Sequence, residues 1–225
     1  MARIRSWSAT LTEPGLLGRP LVLRPMRISD ARTCHEARAA NDSWLGPWNT
    51  TNPVRPPRPS RAWRTAARIR QSRAGAYAGA LSGWLHALPG TAARWVIWYD
   101  GQFVGQVTVF RIAWGPLRSA EVGYWIDERF AGRGIMPTAL AMAVDHCFQA
   151  LRLHRIEAGI QPENKASRRV VEKLGFREEG TRERQVHVNG AWRDHVCYAI
   201  TAEEVPGGLL SRWRNSLAPP GSGVS

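Results

Sequence analysis

Arg129-Phe130-Ala131-Gly132-Arg133-Gly134 follows a strand-like run, Glu121-Val122-Gly123-Tyr124-Trp125-Ile126, and opens an apolar helical run that begins at Ile135. This order of strand, glycine-spaced loop and helix describes a phosphate cradle. Successive main-chain N–H groups in such a loop form a concavity for an anion, and the helix behind it presents its positive N-terminal end. Gly132 and Gly134 let the backbone approach the anion, because neither carries a Cβ. Ordinary strand-to-helix turns use the same residues, so the loop alone does not decide the matter.

The segments that follow decide it. His154-Arg155-Ile156-Glu157-Ala158-Gly159-Ile160 is a short β-like run, and Asn164-Lys165-Ala166-Ser167-Arg168-Arg169-Val170-Val171-Glu172-Lys173-Leu174-Gly175-Phe176 comes after it. Val170, Val171 and Leu174 give that second stretch one apolar helical face, and Gly175 stands where a helix ends.

With Arg129-x-x-Gly132-x-Gly134 after one strand, Asn164-x-x-Ser167 after the next and Glu172-Lys173-Leu174-Gly175-Phe176 beyond, the chain resembles the GNAT superfamily of acyl-CoA N-acyltransferases. The matching motifs fall in the expected order within residues 95–200. Leu21-Val22-Leu23-Arg24-Pro25-Met26 looks like the first strand of that fold. Trp44-Leu45-Gly46-Pro47-Trp48 resembles the branch that contains the RimJ and RimL type acetyltransferases of ribosomal-protein N-termini. The resemblance implies an α/β GNAT fold: a single mixed, mostly antiparallel sheet of about seven strands with a splayed central pair, flanked by helices.

The same resemblance implies acetyl-CoA as cofactor and a primary amine, most readily a protein N-terminus, as acceptor. The strand before the loop would carry a bulge and splay from its neighbour. The backbone of Tyr124, Trp125, Ile126 and Asp127 would then pair with the pantetheine arm. The loop and helix start, Gly132, Arg133, Gly134, Ile135, Met136, Pro137 and Thr138, would seat the diphosphate, with Arg129 and Arg133 adding charge. Asn164 would bond the cofactor arm, and Ser167 would lie near its sulfur. Trp44, Pro47 and Trp48 would wall the acceptor, although aromatic residues in such a loop also serve as packing.

Two readings stand for the general base and for the acid. Glu121 occupies the strand position where several GNAT enzymes hold a catalytic glutamate, and it is equally fit for an ion pair with an arginine. Many GNAT sequences place a tyrosine acid before Glu-Lys-Leu-Gly-Phe, and here that position is Val171. Ser167 is therefore the candidate to protonate the departing thiolate, or it is simply a first-turn or capping residue of its helix. An α-amine is neutral in roughly one molecule in seven at pH 7 and a lysine in roughly one in 2,500, so an N-terminal acceptor tolerates a weaker base. The six histidines show no metal or triad spacing, and no metal site is expected.

A chain of 225 residues is long enough for one large domain with a sizeable core. No apolar run reaches the ~18 residues that span a bilayer, and Met1-Ala2-Arg3-Ile4-Arg5 has no apolar signal core, which points to the cytoplasm. Cys34, Cys147 and Cys197 are odd in number and far apart, arguing against a disulfide framework. The net charge of +13 is concentrated: residues 1–73 hold 14 arginines against four acids, leaving +3 for the rest. Such a field favours transient contact with a ribosomal surface, or it is a solvated face in an arginine-rich chain.

The expected layout is a flexible lead-in over 1–20, one acyltransferase domain over 21–205 with a helical insertion or lid at 55–93, and a flexible tail over 206–225. Within the domain, Ser29 or Asp30 caps a helix to about Ala40, and helix resumes from Ser60 to Arg73. Asp100-Gly101 and Asn189-Gly190 each mark a hairpin. Sequence leaves open whether the chain is a monomer or a homodimer. It also leaves two rival functions: a small-molecule amine acetyltransferase, and a non-catalytic acyl-CoA-binding or RNA-docking module.

Overall fold

Eight strands form one sheet in the order β1-β2-β3-β4-β5-β6-β8-β7. The computed structural model describes residues 9–54 and 92–217, so the expected helix at 60–73 and the insertion at 55–93 fall almost wholly outside the described residues. The strands are β1 (Leu11–Glu13), β2 (Leu21–Pro25), β3 (Ala93–Tyr99), β4 (Gln102–Ala113), β5 (Ser119–Ile126), β6 (Arg155–Ile160), β7 (Arg177–Val188) and β8 (Ala191–Thr201). The helices are α1 (Ala31–Ala40), α2 (Asp42–Leu45), α3 (Ile135–Gln149), α4 (Lys165–Lys173) and α5 (Leu209–Leu217). The sheet thus has one strand more than the motifs suggested.

Both dipeptide turns close hairpins where expected. Asp100 and Gly101 join β3 to β4 with φ of 49° and 73°, and Asn189 and Gly190 join β7 to β8 with 46° and 85°. Such positive φ at both central residues matches the twist of the flanking strands.

Every neighbouring pair is antiparallel except β5 and β6, which α3 connects and which therefore run parallel. α3 is apolar nearly all round because it is buried on all sides, with Ile135, Ala139, Leu140, Ala141, Ala143, Val144 and Cys147 fully enclosed. It lies against the sheet face carrying Leu23, Ile97, Val107, Val122 and Ile156, and burial pushes the Cys147 thiol up to about 12. That cysteine is a core residue.

Neither end of the domain is loose where it is described. β1 pairs with β2, the Trp95 indole donates to Ala9 O at 3.0 Å, and Tyr99 Oη donates to Leu17 O at 3.0 Å. At the other end α5 packs on α3. Leu209 N and Leu210 N donate to the Asp145 carboxylate at 2.6 and 3.0 Å, and the Trp213 indole donates to Thr138 Oγ1 at 2.9 Å. Within the stretches expected as lead-in and tail, residues 9–20 and 206–217 thus make these contacts with the rest of the domain. Sequence missed α5 because its buried residues are Leu209 and Trp213 alone, with Leu210 partly buried beside them, set among Gly, Ser and Arg.

Asp30 does not cap α1 with its side chain; it closes the 3-10 turn Ile28–Asp30 before that helix, accepting from the turn's own N-cap, and is also held by an arginine of the sheet. Arg24 on β2 grips it with two bonds of 2.7 Å, and Arg27 N donates to it at 2.7 Å. Although burial opposes the charge, those donors hold the Asp30 carboxyl below its ordinary value.

Candidate active site

The parallel pairing of β5 and β6 runs only from Ser119 and Arg155 to Glu121 and Glu157. Beyond it β5 continues to Ile126 against β4, and β6 continues to Ile160 against β8, so the two strands part. A cleft of about 720 Å³ opens there, lined on the β5 side by Gly123, Tyr124, Trp125 and Ile126. A smaller hollow of about 140 Å³ adjoins it on the β6 side, and the two share Trp48, Tyr124, Asn164 and Ser167.

Register decides which main-chain groups face the opening. Asp127 N donates to Val104 O on the β4 side at 2.8 Å, and an antiparallel ladder alternates its bonded residues. Trp125 and Gly123 therefore also point their main-chain groups at β4, and those of Val122, Tyr124 and Ile126 face the gap. The position of Trp125 O agrees: a Cβ on Gly105 of β4 would lie 2.3 Å from it. Of the four residues expected to offer backbone, Tyr124 and Ile126 do so, while Trp125 and Asp127 are spent on β4. The expected bulge is absent from β5. The irregularity sits on β4 at Arg111 and Ile112, opposite Ala120, and Arg111 has φ 51°.

Past Asp127 the chain makes one 3-10 turn over Glu128–Phe130 and enters the glycine loop. Gly132 and Gly134 both sit at φ 77°, a conformation disfavoured with a Cβ. Both line the larger cleft together with Ala131, Met136 and Pro137. Space above Gly132 is open, whereas a Cβ on Gly134 would press on Leu17 at 3.2 Å. Helix geometry leaves the N–H groups of Ile135 and Met136 without an acceptor inside α3. Pro137 has no N–H, and Thr138 is committed, with its N and Oγ1 donating to Gly134 O at 3.1 and 2.8 Å. Ile135 is fully buried, so only its main chain can contribute.

The charges differ from expectation. Arg129 turns away and grips the buried Asp127 carboxylate through N, Nε and Nη2 at 3.0, 3.0 and 2.7 Å, holding that carboxyl below its ordinary value. Arg133 lies over the Phe130 ring, 5.4 Å from its centroid. Neither side chain lines the cleft. Its cations are Arg38 from α1 and Arg169 and Lys173 from α4, one helical turn apart, and among the described residues no carboxylate lines it. The i, i+4 spacing of Arg169 and Lys173 was the available signal for this.

At the mouth of α4, Asn164 is the cap: its Oδ1 accepts from Ser167 N at 3.1 Å. Ser167 is the third helical residue, and its hydroxyl donates to Tyr124 Oη at 3.0 Å while Tyr124 Oη donates to Ser167 O at 2.9 Å. Burial raises the Tyr124 pKa, against the lowering effect of the Ser167 bond, so the phenol stays protonated. Sequence placed Ser167 here but gave no hint of the Tyr124 hydroxyl, because the partner comes from a strand 43 positions away.

Glu121 lies outside both hollows, and Arg111 at the β4 bulge binds its two oxygens at 3.0 Å each. The ion-pair alternative is what the geometry contains. Trp44 and Trp48 do line the larger cleft, with Arg38 donating to Asn49 Oδ1 at 2.7 Å beside them. Pro47 does not line it and instead sits second in the 3-10 turn Gly46–Trp48. Thr51 N donates to His187 O at 2.9 Å, tying this wall to the β7–β8 hairpin. No cluster of metal ligands is present among the described residues.

A glycine loop at a helix start, two parted strands and a cationic rim without acids together fit a coenzyme A thioester. The chain matches the family described as acetyltransferase (GNAT) domain over residues 20–177, and it belongs to that family, whose members use acetyl-CoA. RimJ of Mycobacterium smegmatis, solved in complex with CoA-disulfide, is 38% identical and superposes with a TM-score of 0.79 over 94% of this chain and 96% of that one. The probable N-acetyltransferase YjcK of Bacillus subtilis (strain 168) is 46% identical over 101 residues, 45% of this chain and 56% of that protein. The [ribosomal protein uS5]-alanine N-acetyltransferase of Escherichia coli (strain K12) is 30% identical over 105 residues, 47% of this chain and 54% of that protein. The chain spans about half the length of these curated relatives.

Proposed function

We propose that this protein transfers an acetyl group from acetyl-CoA to the N-terminal α-amine of a protein, by direct attack while both are bound. The observation that carries the choice of acceptor is the wall of the cleft: Arg38, Arg169 and Lys173 line it without any described carboxylate. A polyamine or aminoglycoside needs carboxylates to offset its several charges, and a single α-amine does not. Kinship with the uS5-alanine enzyme and with RimJ supports a ribosomal protein as substrate. The arginine-rich first 73 residues suit transient ribosome contact.

Bound acetyl-CoA supplies an activated acyl carbon on a sulfur leaving group. The main-chain groups of Val122, Tyr124 and Ile126 receive its arm as an added strand edge would be received. Gly132 to Met136 seat the diphosphate, and Arg169 and Lys173 add countercharge. Trp48, which lines both hollows, would exclude water from the amine, and Trp44 would wall the larger cleft. The Ser167 and Tyr124 hydroxyls would lie beside the sulfur, and one of them would turn its proton out of the bond it makes in the free protein to reach that atom. A thiol of pKa near 8.5 leaves readily as its anion, so a hydrogen bond from this pair suffices, with no full proton transfer before the bond breaks.

The test is thiol release from acetyl-CoA with four acceptors: an Ala- or Ser-initiated peptide, an N-blocked lysine peptide, spermidine and an aminoglycoside. The α-amine peptide is expected to turn over fastest. Faster release with spermidine or the aminoglycoside overturns the assignment.

A further inference from the structure

The cleft contains a hydroxyl pair and countercharges, but among the described side chains that line it there is no carboxylate or imidazole to take a proton. Its described titratable lining residues are guanidinium and ammonium groups and the half-buried Tyr124, whose phenol pKa burial raises. The adjoining hollow holds His195, on β8, with 7% of its surface exposed. We propose that His195 Nε2 takes the proton of the acceptor amine, so that the amine enters through the β6-side hollow to meet the thioester at Tyr124 and Ser167. This rests on the acetyl transfer proposed above and names its missing base.

Three observations place the base there. His195 Nδ1 lies 3.1 Å from Arg193 O. A carbonyl only accepts, so that contact fixes the proton on Nδ1 and leaves Nε2 with the lone pair. The ring stands over Gly159 on β6: a Cβ built there would lie 3.8 Å from His195 Cδ2, the carbon bonded to Nε2, and the glycine leaves this edge uncovered. The hollow also shares Tyr124, Asn164 and Ser167 with the thioester cleft, so an amine beside His195 is beside the reacting carbon.

A second polar group at the same place lacks a partner. Gln185 Oε1 on β7 is buried with no hydrogen-bond donor, and it too is 3.8 Å from the Cβ position of Gly159. An orphaned buried acceptor is costly, and an incoming ammonium supplies the donor it lacks. Sequence gave no sign of either residue, since six scattered histidines carry no spacing and the hollow exists only once β6 and β5 part.

The protons balance. The amine arrives as R–NH3+ and gives one proton to His195 Nε2, which passes it to water. The neutral nitrogen then forms the C–N bond as the C–S bond breaks, and its second proton ends on the thiol by way of the Ser167 and Tyr124 hydroxyls or water. Products are the amide, the thiol and one proton released.

His195→Ala and His195→Asn are compared with the unaltered chain in thiol release with an α-amine peptide, alongside calorimetric titration with coenzyme A. General-base loss should cut turnover by about 100-fold or more while coenzyme A affinity stays within about twofold. Added imidazole should restore part of the His195→Ala turnover, and more basic substituted imidazoles should restore more. A merely structural histidine has no reason to respond in that way. Turnover within tenfold of the unaltered chain, or a loss that no imidazole relieves, overturns the assignment. If His195→Ala does not fold, His195→Asn, which keeps a donor for Arg193 O, decides on the size of the loss alone. An unaltered chain that releases no thiol with any amine defeats the acetyl-transfer reading itself, a failure distinct from that of His195.

Discussion

Replacing Gly132 by alanine separates the cost of a strained backbone from the loss of a ligand. Gly132 holds φ 77°, and a Cβ there would touch no protein atom within 4 Å. Folding therefore suffers only the conformational penalty of a left-handed residue, about 1–2 kcal/mol. For a domain of this size that is a fall in Tm of about 2–8 °C. Gly101 in the β3–β4 turn is an internal control, since it has φ 73°, equal open space and no place in the cleft. Gly101→Ala should show the same drop in Tm. The two variants should part in calorimetric titration with coenzyme A. If the diphosphate rests on the loop amides, a methyl group in its seat removes one or two charge-assisted hydrogen bonds, each worth about 1.5–3 kcal/mol. One such bond is a weakening of about 10- to 150-fold. Gly101→Ala should bind normally. A Gly132→Ala chain that binds coenzyme A within threefold of the parent would refute the seat.

Two further outcomes follow from the hydrogen bonds at the sulfur end and from the ion pairs of β7. Tyr124→Phe should lower kcat by about 10- to 150-fold with the KM for acetyl-CoA little changed, and Ser167→Ala should lose less than tenfold, because the thiolate needs a donor more than a proton. Full turnover in Tyr124→Phe would remove the hydroxyl pair from the reaction. Arg155 and Arg177 hold Glu179 down to about 2 from its ordinary 4.5, and a depressed carboxyl stabilises the fold above the unfolded value and stops doing so as pH falls through the folded one. Thermal melts should thus show stability draining between pH 4.5 and about 2, and Glu179→Gln should remove that share of the slope; an identical slope denies the pair any role.

Local signals were the ones legible in the sequence. The two Gly-centred hairpins, the apolar run of α3 and the glycine loop are each written within a few adjacent residues, and each is where the motifs placed it, whereas the cap of α4 falls to Asn164, read as a ligand of the cofactor arm, and not to Ser167. What stayed hidden depends on partners far apart in the chain. Arg129 reads as a phosphate ligand until Asp127 is seen buried behind it, and Glu121 reads equally as a base or as an ion-pair partner until the β4 bulge delivers Arg111. Trp125 and Tyr124 are neighbours in sequence, yet ladder alternation commits the first to β4 and frees the second. His195 and Gln185 are visible only through the gap between β5 and β6.

The phosphate loop is backed by both ends of the domain. Leu17 from the segment after β1 and Trp213 from α5 lie behind Gly134, and Arg214 Nη2 donates to Glu13 Oε2 at 2.6 Å to fasten the two segments together. Trimming either terminus to what a motif search would keep unbuckles a strap that never touches the nucleotide yet sets the shape of its berth. Shortened forms of this chain would thus lose their grip on coenzyme A for reasons invisible in a catalogue of contact residues.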